Sequence, residues 1–187
     1  LRAYAKTLSI FKLFMDNLDD VPQLGYYHLK LYRAIQDFAS MCQEGGWRFL
    51  GLVNNKSFEE YRYSHPTSVA LLALVLGVRI NLRRSRLAEL GMTAILHDIG
   101  KSRLPRALME KAGAFTPEER EILKQHPTLA VKTLLRTRQY NESLLKRIMV
   151  LHEHHRAPRE GEELHPYSRI IAVAEQEKCD LIVLASH

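Results

Sequence analysis

The chain has 187 residues, an apolar content of 46% and a formal net charge of +6. This composition argues against general disorder, and the length allows one large domain or one domain with a helical extension. The positive charge favours an anionic ligand but is too small to indicate duplex DNA by itself.

The cysteines and the apolar runs bear on the compartment. Cys42 and Cys179 are far apart and form no Cys-x-x-Cys pair, which is not a disulfide framework and suits a reducing cytoplasm. The apolar run at residues 69–78 is too short to span a bilayer, and no signal peptide is evident. We therefore expect a cytoplasmic chain without a membrane segment. Because it starts with Leu1, we interpret it as a fragment of a longer product.

Apolar residues recur at helical spacing almost throughout, which predicts an all-α fold. Residues 1–19 are predicted to form one helix. Pro22 and Gly25 then interrupt the pattern, and a second helix is predicted over residues 26–43, ending at Gly45 and Gly46. Residues 47–53 are a connector.

The next two helices carry the most informative residues. Ser57 with Glu60 fits a capping box that opens a helix ending at Gly77. Ser85 can cap a helix over residues 86–99 with Gly100 as its C-terminal stop. This prediction places the adjacent pair His97 and Asp98 in the last turn of that helix.

The second half of the chain repeats the pattern of helices that end at histidines. The segment 116–119, Thr-Pro-Glu-Glu, starts a helix that runs to about His126, where a proline breaks it and starts the next. Asn141 can cap a helix that ends at residues 154–155. A polar loop at 156–166 precedes a helix at 167–177, and the strand-like run 181–184 is too short to assign. We predict an N-terminal helical segment, residues 1–55, and a metal-binding domain, residues 56–187.

The histidines themselves point to a metal centre. Adjacent His97 and Asp98 offer a nitrogen and a carboxylate that can bridge two ions, and His126, His154 and His155 follow at helix ends. Such nitrogen and oxygen donors on a helical frame are typical of a metal-dependent hydrolase. The plainer alternatives are a helix-end pair at residues 97–98, ordinary helix boundaries at the other histidines, and solvated helix charges at Lys101 and Glu175.

Four segments occur in an order and spacing that resemble the HD-GYP branch of the HD phosphohydrolase superfamily. They are LHDIGKSRLP, FTPEEREILKQHP, EHH and SRIIAVA, and the resemblance covers about 120 residues. It implies an all-α bundle of the HD-domain type. It also implies a bacterial signalling enzyme that hydrolyses cyclic di-GMP at a site of two or three metal ions.

The resemblance further implies a role for each site residue. Asp98 would bridge two metal ions, and Lys101 would contact a substrate phosphate. Both residues would be catalytic. The metal ligands carried over are His65, His97, Asp98 and Glu175 for the first ion, and Asp98, His126, His154 and His155 for the second. Tyr61 stands where three-metal members carry a glutamate, which favours two ions. The donor set favours Fe or Mn and leaves Zn or Ni open.

Three departures from the family pattern keep other functions open. The loop RAPREGEELHPY has no Gly-Tyr-Pro, Glu175 replaces an aspartate, and the ending QEKCDLIVLASH lacks the usual Tyr-Asp-Ala-Leu. We expect a cyclic di-GMP phosphodiesterase. The alternatives are a signalling module without turnover and a hydrolase of another phosphate ester. Expected partners are the cyclic dinucleotide, a GGDEF domain or a second copy of the chain, and not duplex nucleic acid.

Overall fold

The computed structural model describes residues 2–45, 58–111, 113–137, 140–156 and 162–184, and these ranges contain no strand. The predicted all-α fold is confirmed. A 3-10 helix, Ile99–Arg103, lies between the fourth and fifth α-helices. The α-helices of the described ranges are α1 (Arg2–Asp16), α2 (Val21–Gln43), α3 (Phe58–Arg79), α4 (Arg84–Leu96), α5 (Arg106–Met109), α6 (Pro117–Leu123), α7 (His126–Leu135), α8 (Glu142–Glu153) and α9 (Pro166–Leu184).

Helix α2 begins five residues earlier than predicted. The Asp20 side chain accepts a hydrogen bond from the Gln23 N–H at 3.3 Å, and Pro22 lies in the first turn. A proline near the first helical position costs no hydrogen bond, because the N–H groups there have no helical partner. The interpretation of Pro22 as an interruption was therefore wrong, since it helps to start the helix.

Helix α3 passes through two residues that usually limit helices. Pro66 lies inside the helix, and the helix continues past Gly77 to Arg79, so the predicted end at Gly77 was wrong by two residues. The missing side chain at Gly77 leaves room for close packing, since an added Cβ would lie 2.8 Å from a Leu87 methyl group. The predicted capping residue Ser57 lies outside the described residues.

Helix α4 differs from the prediction at both ends. Arg83 takes the N-cap position instead of Ser85. The helix ends at Leu96, and the next residues turn into the 3-10 helix, so the predicted continuation to residue 99 was wrong. Gly100 is not a left-handed stop. A Cβ there would lie within 2 Å of the His126 carbonyl oxygen (1.9 Å), which means that Gly100 permits close contact with α7.

The predicted start signals of α6 and α8 are confirmed. Thr116 accepts from the Glu119 N–H at 3.3 Å while the Glu119 carboxylate accepts from the Thr116 N–H at 2.8 Å, which is the predicted capping box. Asn141 caps α8 by accepting from the Leu144 N–H at 2.9 Å. Residues 181–184, whose pattern resembled a strand, belong to helix α9.

The helices share one hydrophobic core. Phe11 and Phe14 of α1 and Phe38 of α2 are fully buried and belong to the same cluster as Leu71 of α3 and Leu90 of α4. The N-terminal helices therefore pack directly on the helices that carry the histidines. The division into residues 1–55 and 56–187 stays a prediction. Among the described helices, none combines the length and the apolar character needed to cross a bilayer.

We predict that Gly100→Ala destabilises the protein by about 3 kcal/mol or more, because the new methyl group meets the backbone of α7. Gly91→Ala is the matched control, since the atoms nearest to its Cβ would be side-chain methyl groups of Ile35 and Leu74, at 2.9 and 3.0 Å. Those side chains can move, so we expect a loss of about 1 kcal/mol. Urea unfolding measures both values, and equal losses would contradict the assigned role of Gly100.

A second prediction concerns acid stability. His28 is buried beside Arg147, and burial lowers its pKa from 6.5 to about 4. The folded state therefore keeps His28 neutral while the unfolded state protonates below about pH 6.5, so stability falls as pH drops towards 4. His28→Gln keeps an acceptor but cannot titrate. Between pH 7.5 and 5.0 the wild type should lose about 2 kcal/mol more unfolding free energy than this variant. A pH-independent difference between the two would refute the assignment.

Candidate metal centre

The ends of several helices meet at one point in the molecule. His97 is the C-cap residue of α4, and Asp98 follows it at the start of the 3-10 helix. His126 is the first residue of α7, and His154 is the C-cap residue of α8. His65, Glu175 and His155 complete the set, from α3, from α9 and from the turn after α8.

Asp98 belongs to two groups of donor atoms at once. In one group it lies with His65, His97 and Glu175, and in the other with His126, His154 and His155. Within each group the candidate ligand atoms lie within 4.8 Å of one another. All seven residues predicted as metal ligands are therefore brought together, and their role as ligands stays a prediction.

The two oxygens of Asp98 face different histidines. Oδ2 lies 3.2 Å from Nε2 of His97 and 3.8 Å from Nε2 of His65. Oδ1 lies 3.4 Å from Nε2 of His126. One carboxylate oxygen thus serves each group, which is the arrangement that a bridging carboxylate requires.

Three of the histidines are held by the same local device. The Nδ1 atoms of His97, His126 and His154 each lie 2.7 to 2.9 Å from the backbone carbonyl oxygen three residues earlier. A carbonyl only accepts, so each Nδ1 carries the proton and donates, and each Nε2 is left with a free lone pair. Such a hydrogen bond from the distal nitrogen is how metal-ligating histidines are commonly oriented.

His65 is oriented from its own helix. The ring of Tyr61, one turn earlier on α3, stacks on the His65 ring with centroids 5.0 Å apart. The Tyr61 hydroxyl lies 3.3 Å from Nδ1 of His65, so that Nε2 faces Asp98. Tyr61 was singled out in the sequence only for the number of metal ions. The structure adds a contact that fixes a candidate ligand.

The donor atoms of this site fit a bound cation. Nε2 of His97, His126 and His154 and Oδ1 of Asp98 are buried and have no hydrogen-bond partner within the described part of the chain. Buried polar atoms are nearly always paired, since leaving one unpaired costs about 1–3 kcal/mol. Four such atoms, converging from separate helix ends, form a donor set of imidazole and carboxylate that suits a transition metal.

The protonation states agree with this fit. Burial lowers the pKa of His126 to about 4 and that of His154 to about 2, so both rings are neutral near pH 7. Burial by itself would raise the pKa of Asp98, but attraction to His97 and Lys101 outweighs it and holds that pKa well below the usual range. Burial lowers the pKa of His97, but the same attraction to Asp98 more than offsets this and raises it, so a cation bound at Nε2 would displace that proton. Neutral imidazoles and an ionised carboxylate are the forms that bind metal.

Lys101 lies at the mouth of the site. Its Nζ donates to Oδ2 of Asp98 at 2.5 Å, and its side chain remains 30% exposed. Burial lowers the pKa of Lys101, but attraction to Asp98 more than offsets this and raises it. Lys101 is therefore a positively charged side chain that pairs with the Asp98 carboxylate and remains partly accessible to solvent. Its predicted contact with a phosphate is compatible with this position.

Glu175 lies close to one histidine of each group. Its Oε1 lies 4.0 Å from Nε2 of His97, and its Oε2 lies 3.7 Å from Nδ1 of His155. The side chain of His155 is 43% exposed, so this histidine marks the open face of the site. Glu175 thus reaches the site with a side chain that is one methylene longer than the aspartate of the family.

The residues that hold the loop after His155 were not predicted from the sequence. The Glu153 carboxylate accepts from the backbone N–H of His165 at 3.0 Å and from the Ser168 hydroxyl at 2.8 Å. Arg156 pairs with Glu162 at 2.6 Å. These bonds tie the end of α8 to the start of α9. Five residues of the altered loop, 157–161, lie outside the described residues.

Seven lysines and arginines from Arg79 to Arg106 form a basic run in the sequence, and the structure divides this run. Arg84 and Arg86 lie at the start of α4, about 16 Å along the helix axis or more from His97 at its end. Arg103, closer to the site, donates to Asp19 at 2.8 Å. Of these residues, Lys101 alone among the described contacts touches a candidate metal ligand. The run is thus not one continuous surface around the site.

Comparisons with known proteins identify the family of the chain. The model of the HD domain family matches residues 52–176 of the chain. A cyclic di-GMP phosphodiesterase of Pseudomonas aeruginosa is 33% identical over 107 residues, which cover 57% of this chain and 25% of that protein. A cyclic di-GMP phosphodiesterase of Thermotoga maritima is 31% identical over 111 residues, covering 57% and 30%. The matched part of the chain thus spans less than a third of the length of these relatives.

A solved structure supports the fold. An HDG"Y"P protein from Bdellovibrio bacteriovorus superposes with a TM-score of 0.71 over 91% of this chain and 59% of that one. The sequence identity is 15%, so this likeness concerns the fold alone.

We predict that Asp98→Ala removes both metal ions, because one carboxylate serves both groups of donors. His65→Ala should remove only one ion, because His65 belongs to a single group. Metal analysis of protein purified without chelator gives the ratios, which should be about two, zero and one for the wild type and the two variants.

Asp37→Ala is the control for the metal analysis, since Asp37 pairs with Lys6 on the surface. It should keep the wild-type ratio. Two ions retained in the Asp98 variant would disprove the shared carboxylate.

Proposed function

The chain belongs to the HD-domain family and resembles its HD-GYP branch, and from that premise we propose that it is a metal-dependent phosphodiesterase that hydrolyses cyclic di-GMP. The observation that carries this proposal is the shared Asp98 carboxylate, with one oxygen facing each group of histidines. That arrangement supports a two-ion site more directly than any single ligand does.

Divalent cations held at such a site would supply the Lewis acidity for activating water and for neutralising charge on a phosphodiester. The proposed ligands of one ion are His65, His97, Asp98 and Glu175, and those of the other are Asp98, His126, His154 and His155. Imidazole and carboxylate together favour Fe or Mn, and Zn or Ni are compatible with the same donors.

The chain's own residues orient this chemistry. The hydrogen bonds from Nδ1 to backbone carbonyls hold the three buried imidazoles in fixed tautomers, so no reorganisation is needed when they bind. Lys101 has two roles in the proposal. It keeps Asp98 ionised, and its exposed portion offers a positive charge to a phosphate at the mouth of the site.

The substrate assignment rests on charge and on the relatives. Cyclic di-GMP carries two phosphodiester charges, which suit a site bordered by Lys101 in a chain of net charge +6. Two curated relatives carry the name of this activity. A GGDEF domain or a second copy of the chain as partner, and the cytoplasm as location, remain part of the same proposal.

A second candidate is a signalling module that binds metal or nucleotide without turnover. The observation that favours it is the loop after His155, which has no Gly-Tyr-Pro and whose Arg156 is already engaged by Glu162. An arginine held in an ion pair is less available to a substrate phosphate. The loop affects substrate recognition, whereas the donor atoms affect the hydrolytic step. An activity assay therefore distinguishes the enzyme from the signalling module.

We predict slow but measurable hydrolysis of cyclic di-GMP when Mn or Fe is supplied, and none for Asp98→Ala. Lys101→Met should lower kcat/KM by about 10- to 100-fold, the value of one charge-assisted hydrogen bond. Lys6→Met removes an equal charge from a surface ion pair and should leave the rate unchanged.

Chromatographic separation of the nucleotides measures the hydrolysis. If the metal-loaded protein binds cyclic di-GMP but does not cleave it, its linear form or simple phosphodiesters, the signalling module replaces the enzyme.

A further inference from the structure

A cavity of about 220 Å³ lies away from the metal centre, between α2, α4 and the start of α8. Its lining includes His28 of α2, Glu89 of α4, the N-cap residue Asn141 of α8, and Arg147 in the middle of that helix. Arg147 precedes His154 by seven residues, which places the cavity about 10 Å along α8 from the metal centre.

Arg147 is buried without a carboxylate partner. Its residue is 5% exposed, and it takes part in none of the ion pairs among the described residues. Nη1 lies 3.4 Å from Nε2 of His28, and Nε has no hydrogen-bond partner in the described part of the chain. Burying a guanidinium costs several kcal/mol unless acceptors satisfy it. The arginine therefore requires an acceptor that the neighbouring described residues do not provide.

The same cavity receives the N-terminus of a helix. Asn141 caps α8, a helix of 12 residues, and Asn141, Ser143 and Leu144 of its first turn line the cavity. The Leu144 N–H is already taken by the Asn141 side chain, but the N–H groups that precede it in the first turn have no helical acceptors, and the helix dipole adds partial positive charge there. A buried arginine and a helix N-terminus on one cavity are two independent features that favour an anion.

One acidic group also lines the cavity. Glu89 accepts from the Ser143 hydroxyl at 3.2 Å and from the Tyr167 hydroxyl at 3.4 Å, and it lies 3.4 Å from Arg86. These three donors share its negative charge, and the carboxylate attracts Arg147 at longer range but forms no ion pair with it among the described contacts. The carboxylate thus does not take the place of the missing acceptor.

We propose that this cavity binds a compact tetrahedral oxyanion of the phosphate class, with Arg147 as the main donor and the first turn of α8 as the second. The volume is ample, since one water needs only roughly 10–15 Å³ by the same measure. Burial lowers the pKa of Arg147 to about 10, so the side chain remains charged at neutral pH. The site is separate from the metal centre and does not depend on the proposed phosphodiesterase activity.

The first test is to soak crystals of the protein with selenate, a tetrahedral oxyanion that anomalous scattering locates. We expect a peak in the cavity within hydrogen-bond distance of the Arg147 guanidinium. A peak at the metal centre alone, or only water in the cavity, would overturn the proposal.

The second test is a titration with phosphate at constant ionic strength, followed by the thermal midpoint of unfolding. The wild type should show a saturable rise that Arg147→Met weakens by at least about tenfold in half-saturating phosphate. Lys146→Met is the matched control, because it removes the same charge from the adjacent residue, which pairs with Glu142 outside the cavity. An equal response of both variants would overturn the proposal.

Arg147→Lys covers the case in which the methionine variant does not fold. It keeps the charge but loses Nε, so weaker binding than in the wild type is expected and unchanged binding would count against the proposal. A further titration with GMP separates two sources of the same chemistry. A larger midpoint shift with GMP than with phosphate identifies a nucleotide phosphoryl group, and a smaller one identifies free phosphate.

Discussion

The shared carboxylate of Asp98 is the constraint on which the arrangement of the helices depends. Its oxygens must reach histidines from α3, α4 and α7, while Lys101 from the following 3-10 helix must reach the same group. A buried carboxylate is tolerated only when such partners surround it. The ends of these helices therefore meet within a few ångströms of one residue, and a shift of any helix would break the set.

Three of the histidines have two structural roles, because each bonds a helix end and also supplies a donor atom to the site. A helix C-terminus leaves carbonyl groups without partners, and the Nδ1–H groups of His97, His126 and His154 each satisfy one of them. The opposite nitrogen of each ring is then held towards the site with its lone pair free. Local helix termination and site construction are thus the same event, which explains why the candidate ligands lie at helix ends.

This link also explains which features could be predicted from the sequence. His97 and Asp98, followed by histidines next to prolines and polar loops, indicate both the helix ends and the candidate site. Gly100 was misinterpreted because a glycine after a helix usually marks a left-handed turn, whereas here it permits contact between distant backbones. Arg147 and His28 meet across 119 residues, and no local pattern predicts such a pair.

Helix α8 joins the candidate metal centre to the cavity of Arg147, and its dipole has opposite signs at its two ends. Its C-terminus, with partial negative charge, carries His154 at a site whose donors suit cations. Its N-terminus, with partial positive charge, opens on the cavity of Arg147. The two sites therefore have opposite charge preferences for one physical reason. Since twelve residues of rigid helix join them, the position of one end fixes the position of the other.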